Sequence, residues 1–206
     1  MKDTGAGQDT DAEDTGAEDT GAQDAGAGKD TGAQEAGARC ERVARQALGL
    51  TDLRPGQLAA MTALARGRDV LVVMPTGAGK SAIYQVPALL LPGPTVVVSP
   101  LIALQRDQVE ALREHDEAAA SLDAGTSAGR RRTTFESLRA GETEFLFCAP
   151  EQLARPDVVR DLAEVEPSLL VVDEAHLISS WGTTSAPTTC GWGRWRGRWA
   201  ARRSPP

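Results

Sequence analysis

Lys80 and Ser81 follow the glycine-rich turn inside the stretch VLVVMPTGAGKSAIYQV, residues 70–86. A lysine and a hydroxyl directly after a glycine-rich turn are equipped to hold a polyphosphate and its metal. Thr76, Gly77, Ala78 and Gly79 would turn successive backbone N–H groups toward a phosphate, and a helix starting at Lys80 would add the positive end of its dipole. The Lys80 ammonium would reach the terminal phosphates, and the Ser81 hydroxyl would ligate Mg²⁺. Met74 occupies the opening position, where the general phosphate-loop pattern has glycine. A chance Lys-Ser after a glycine turn is the plainer reading, and lysine usage opposes it. Of 22 cationic residues only Lys2, Lys29 and Lys80 are lysines, and the first two lie in a low-complexity tail.

The second chemical group is Asp173-Glu174-Ala175-His176, inside LLVVDEAHLISSWG at 169–182. An acid at the end of a buried strand in a phosphate-loop protein holds Mg²⁺. Asp173 takes that role, and Glu174 is placed to orient and deprotonate an attacking water. Alone, an Asp-Glu pair is as readily a solvated strand end. Behind a Lys80 loop it reads as the second half of a nucleotide site.

These groups need a sheet to position them. Strand-like runs recur at 69–74, 95–99, 118–122, 144–149 and 169–173. Helical runs fall between them at 80–90, 102–115, 130–140 and 157–164. Two further helices precede these, at 39–48 with Val43, Ala47 and Leu48 on one face, and from Pro55 to about Arg66, ended by Gly67. Apolar strands alternating with helices predict an α/β fold, a parallel sheet flanked by helices. Ligands of such sheets bind at the carboxyl ends of the strands, where the Lys80 loop falls.

Charge is uneven. The chain of 206 residues has net charge −7. Residues 1–38 hold ten acids and two lysines in a loose Asp-Thr-Gly-Ala repeat without Val, Ile, Leu or aromatics. Such a segment cannot bury enough surface to offset chain entropy and is expected to be disordered. It is either a solvated tail or a lure for a basic partner. Residues 39–181 hold nineteen acids and fifteen cationic residues, so net charge does not by itself argue for nucleic acid. Cys40, Cys148 and Cys190 show neither metal spacing nor a disulfide framework, which fits a reduced cytosolic compartment. No apolar run has the length of a membrane span. His115 reads as solvated, Arg130 to Arg132 as a solvated helix face or phosphate contacts, and Cys148 as core.

Taken in order, residues 40–182 resemble a superfamily 2 helicase of the RecQ type. Leu53-Arg54-Pro55-Gly56-Gln57 is similar to the motif whose Gln reads adenine, which implies that role for Gln57 with Arg54 as its partner. MPTGAGKS is close to that family's loop, which also opens with Met. Ser99-Pro100-Leu101-Ile102-Ala103-Leu104, followed by Asp107-Gln108-Val109, resembles a segment that contacts single-stranded DNA. Phe147 to Leu153 resembles a second DNA-side segment. Asp173 to His176 with Ile178, Ser179, Trp181 and Gly182 matches the Walker B segment and the start of an aromatic-rich loop. Leu48, Leu50 and Leu53 stand where the family often has aromatics that stack on adenine.

The resemblance implies an ATP- and Mg²⁺-dependent DNA helicase moving 3′ to 5′, cytoplasmic and nucleoid-associated. It implies an incomplete RecA-like first lobe at 39–182, between a disordered tail (1–38) and an irregular one (183–206). Ser99, Pro100, Leu101, Gln108 and Trp181 would face DNA. The motif-III strand, the second lobe with its arginine finger and the zinc-binding region are not found in this sequence. The alternative is a non-catalytic nucleotide- or partner-binding fragment or a pseudogene product.

Residues 182–206 consist only of Gly, Thr, Ser, Ala, Pro, Cys, Trp and Arg. Every one of these has a codon with G or C in second place, as expected of a GC-rich gene read out of frame. The family would continue roughly WGHDFRPDYLRLG. A GC-rich coding of that string, less one G, translates as WGTTSAPTTCGWG, which is residues 181–193 as they stand. The other reading is a basic tail in which Arg194, Arg196 and Arg198 pair with phosphates while Trp195 and Trp199 stack on bases.

Overall fold

The computed structural model describes residues 30–75 and 77–177. Thr76, Ile178, Ser179, Trp181 and the whole 183–206 tail lie outside the described residues. Four strands form one parallel sheet: β1 (Thr95–Val98), β2 (Ala119–Leu122), β3 (Phe145–Cys148) and β4 (Leu169–Val172), in the order β2-β3-β1-β4. The register pairs Val98 with both Cys148 and Val172, and Leu122 with Cys148. The carboxyl ends of all four strands therefore share one edge, and the segments starting at Ser99, Ala149 and Asp173 leave from it. Backbone bonds continue the stagger there: Ser99 N–H to Cys148 O (3.1 Å), Ala149 N–H to Leu122 O (2.9 Å) and Asp173 N–H to Val98 O (2.9 Å).

Strand side chains alternate between two cores, as the two-residue period requires. Val97, Phe145, Phe147 and Leu169 pack with Cys40, Ala44, Met61, Tyr84, Val86 and Leu112 on one face. Val96, Val98, Leu146 and Cys148 pack with Phe135, Leu138, Val158 and Leu162 on the other. Helices α1 (Thr31–Ala47), α2 (Gln57–Ala65), α3 (Lys80–Ala88) and α4 (Ile102–Glu114) thus serve the first core. Helices α5 (Ala128–Arg139) and α6 (Pro156–Val165) serve the second. This is the parallel sheet flanked by helices that the strand pattern predicts, an incomplete RecA-like lobe.

Three expectations need correction. The run 69–74 is not a strand. Its residues are apolar from Val70 to Met74, but they alternate between half-buried and exposed, with Leu71 84 % and Val73 89 % exposed. Strand propensity describes a fit to a pleated, half-buried surface, and it is realised only beside a neighbouring strand. Among the described residues the sheet ends at β4, and none of its four strands pairs with this run.

The N-terminal tail is shorter than composition suggests. Helix α1 begins at Thr31 and takes in the last copy of the repeat. Its buried stripe is Gly37, Cys40 and Ala44, three and four apart, with Val43 and Ala47 flanking it. A β-carbon on Gly37 would stand 3.3 Å from Thr62 Oγ1, so the small residues of the repeat let α1 close on α2. Pro55, expected in the first turn of its helix, instead sits in the turn before α2, and Gly56 caps that helix with φ 84°. Cys148 is fully buried, as expected of a core residue.

Candidate nucleotide site

The glycine loop leaves the apolar run at Pro75 and enters α3 at Lys80. Gly77 (φ 74°) and Gly79 (φ 77°) take the left-handed backbone that only glycine adopts freely. Ala78 N–H closes the turn on Pro75 O at 3.2 Å. The Lys80 ammonium curls back over the loop, donating to Met74 O (3.3 Å) and Pro75 O (3.4 Å).

Two side chains from the preceding motif brace this loop. Arg54 Nη1 donates to Gly77 O at 3.0 Å. Gln57 Nε2 donates to Gly79 O (2.9 Å) and Ala78 O (3.3 Å), and Gln57 Oε1 accepts from Arg54 N–H (2.6 Å). Gln57 is 4 % exposed. Both its amide hydrogens are thus engaged by the loop, leaving one lone pair on Oε1 for any further partner. A β-carbon on Gly79 would stand 2.7 Å from Gln57 Nε2, so the glycine is needed for the brace as well as for its φ.

The acids arrive from β4. Asp173 is the first residue beyond the strand, and Glu174 N–H caps its Oδ1 at 3.0 Å. Burial holds the Asp173 carboxyl above the usual range. The Glu174 N–H pulls the other way, the Glu174 carboxylate reinforces the rise, and the Lys80 ammonium lowers it. Lys80 and Asp173, far apart in sequence, are therefore within electrostatic reach. Glu174 sits at φ 50°, an uncommon conformation for a non-glycine residue and one often found at functional sites. Its Oε2 lies 3.3 Å from His176 Nδ1.

Ser81, in the first turn of α3, accepts from Gln108 Nε2 at 3.0 Å. Ser81 and Asp173 offer oxygen donors only, which suits Mg²⁺ held by one or two protein oxygens, waters and substrate phosphates. No cluster of three or more His, Cys, Asp or Glu forms an all-protein metal cage among the described residues. The donor set therefore fits a nucleotide-borne Mg²⁺. That ion would supply charge neutralisation at the phosphates.

The residues expected to face DNA separate. Leu101 (47 %) and Ile102 (37 %) are exposed at the start of α4, and Pro100 is half-buried beside them. The Ser99 side chain is 2 % exposed, its hydroxyl has no partner, and its carbonyl accepts from Gln105 Nε2 at 2.6 Å. The Ser99 side chain is thus turned inward in this structure, unlike its neighbours Leu101 and Ile102. Gln108 points to Ser81 rather than outward. Gln85 Nε2 donates to Gln108 Oε1 at 3.1 Å, and Tyr84 OH lies 3.5 Å from the same oxygen. Sequence reasoning missed Tyr84 and Gln85. The available signal was spacing, since residues three and four after Ser81 share its helix face. Arg131, one of the three arginines of the candidate phosphate cluster, is instead paired with Asp157 at 3.1 Å, and Arg132 with Glu136 at 3.4 Å.

Residues 54–189 match the family model described as DEAD/DEAH box helicase. The chain belongs to that family. It is 38 % identical over 143 residues to a probable ATP-dependent DNA helicase, RecS, of Bacillus subtilis, covering 69 % of this chain and 28 % of that protein. It is 37 % identical over 141 residues to the ATP-dependent DNA helicase RecQ of the same organism, covering 68 % of this chain and 24 % of the relative. Against the RecQ of Haemophilus influenzae it is 34 % identical over 145 residues, covering 70 % of this chain and 23 % of the relative. The chain thus spans less than a third of each of these relatives' own length. No helix among the described residues is long and apolar enough to cross a membrane.

Proposed function

We propose that this chain is the ATP- and Mg²⁺-binding first lobe of a RecQ-type DNA helicase. The observation that carries the reading is the bracing of Gly77, Ala78 and Gly79 by Arg54 and Gln57, with Lys80 in electrostatic reach of Asp173. Two segments distant in sequence, Arg54–Gln57 and Asp173, thus meet one loop of the type that cradles phosphates.

In this reading the loop from Thr76 to Gly79 and Lys80 hold the β- and γ-phosphates. Ser81 and Asp173 hold Mg²⁺, and Glu174 is the base for the attacking water. Gln57 serves first as a loop brace, and its remaining Oε1 lone pair is the group available to the adenine amino hydrogen. The ledge of exposed Leu101 and Ile102 with half-buried Pro100 is the DNA-side surface within the described residues, and Trp181 would extend it. DNA is the partner, and a nucleoid-associated place in the cytoplasm follows from that role.

The 206-residue chain alone should show no unwinding and little ATPase. Related nucleotidases gain roughly 10³-fold or more in rate from an arginine finger, and none of the motifs present here supplies one. The test is binding of a fluorescent ATP analogue to the full chain with Mg²⁺. Saturable binding, weakened at least about tenfold in Lys80→Ala, is expected from loss of a charge-assisted phosphate contact. Equal binding by wild type and Lys80→Ala would sink the reading. Robust DNA-stimulated ATPase, lost in Lys80→Ala, would refute the low-activity expectation while keeping the site.

A further inference from the structure

We infer that Gln108 is a positioning residue that sets the Ser81 hydroxyl for its divalent cation, so that α4 acts directly on the nucleotide site. This rests on the nucleotide-binding reading above. It reassigns a residue expected at the DNA surface.

Helix α3 turns Ser81, Tyr84 and Gln85 onto one face, three and four residues apart, and Gln108 of α4 meets all three. Gln108 Oε1 takes the Gln85 amide at 3.1 Å and faces the Tyr84 hydroxyl at 3.5 Å. Two donors on that side fix the sense of the Gln108 amide, because a flipped amide would turn its NH₂ toward the Gln85 NH₂. Nε2 is thereby directed at Ser81 Oγ, 3.0 Å away.

A serine hydroxyl has one proton and two lone pairs. Gln108 occupies one lone pair. The bonds run from Gln108 N–H to Ser81 Oγ and from the Gln85 amide and the Tyr84 hydroxyl to Gln108 Oε1. One Ser81 lone pair is left, and it is the one a cation can use. Without the Gln108 donor the hydroxyl is free to rotate, and its proton can take the cation's place.

The test uses the full chain and a fluorescent ADP analogue, titrated with Mg²⁺ and again with EDTA. Wild type should bind more tightly with Mg²⁺. Gln108→Leu and Gln108→Glu should each lose about tenfold of that gain, the lower end of what outer-shell partners of metal ligands contribute, with the EDTA affinity unchanged. Gln108→Glu keeps the size and the acceptor for Gln85 and Tyr84 but cannot donate to Ser81. It therefore decides the matter if Gln108→Leu lacks a cooperative melt. In a Ser81→Ala background, Gln108→Leu should have no further effect.

A wild-type Mg²⁺ response in Gln108→Glu would overturn the inference, as would a Gln108→Leu loss that persists with Ser81→Ala. So would a loss confined to binding of a single-stranded oligonucleotide, which would return Gln108 to the DNA surface. If wild type binds no nucleotide in either condition, the nucleotide reading itself fails, and this inference falls with it.

Discussion

Strands β1 and β3 are buried at every residue, whereas β4 is buried only at Leu169. The apolar run before the glycine loop, which no strand of the sheet pairs with, is more open still at Leu71 and Val73. The two regions differ in what holds them. The β1–β3 half is gripped by two cores, one on each face. The loop is held by side-chain bonds from Arg54, Gln57 and Lys80. The candidate chemistry is thus attached to the half of the sheet with the least cover. A fold that is secure at β1 and β3 can present Asp173 at a strand end while the phosphate loop relies on a handful of polar contacts.

The largest test of this contrast pairs two truncations. Phe147→Ala removes a side chain 1 % exposed in the first core and should cost about 3–5 kcal/mol. Leu71→Ala should change stability by less than about 0.5 kcal/mol. Denaturant unfolding reads both, and a cost of several kcal/mol at Leu71 would show that the run is a buried strand after all.

A smaller effect is expected at the brace. Gly79→Ala forces a β-carbon into a left-handed residue and against Gln57 Nε2. The backbone alone should cost about 1–2 kcal/mol, and nucleotide affinity should fall with the broken brace. If Gly79→Ala binds nucleotide as tightly as wild type, the loop is not held by Gln57 in the way described.

The smallest effect lies at the opposite end of the strands. Burial, reinforced by the Glu117 carboxylate, pushes the Glu144 carboxyl up to about 7. Glu144 Oε1 is buried without a partner. Because the folded-state value lies above the ordinary one, the folded chain binds this proton more tightly than the unfolded chain. The stabilisation is complete below about pH 4.5 and is lost as pH rises through about 7. Melting temperature should therefore fall between pH 5 and pH 8, and Glu144→Gln should flatten that slope. A slope unchanged by Glu144→Gln would place the titrating group elsewhere.

The elements of the fold were largely legible in the residues. Runs such as Thr95-Val-Val-Val and Phe145-Leu-Phe-Cys are apolar on both faces, and only a sheet covered on both sides accepts them. Glycines at 77 and 79 before Lys80 announced the loop, since few other residues take positive φ there. The run 70–74 misled because strand propensity is local while strand formation needs a partner. The motif at Ser99 gave the order of its residues but not that the Ser99 side chain faces inward.

By itself, the sequence determined the order of strands and helices, the phosphate-type loop and the acid pair that follows β4. These follow from periodicity and backbone permissiveness, which act over a few residues. Only the tertiary structure decided that Gln57 braces the loop, that Gln108 turns to Ser81, and that the Val70–Met74 run stands outside the sheet. Each of those depends on which distant segment arrives opposite a side chain. Hydrogen-bond partners and burial are properties of that meeting, and no local pattern encodes them.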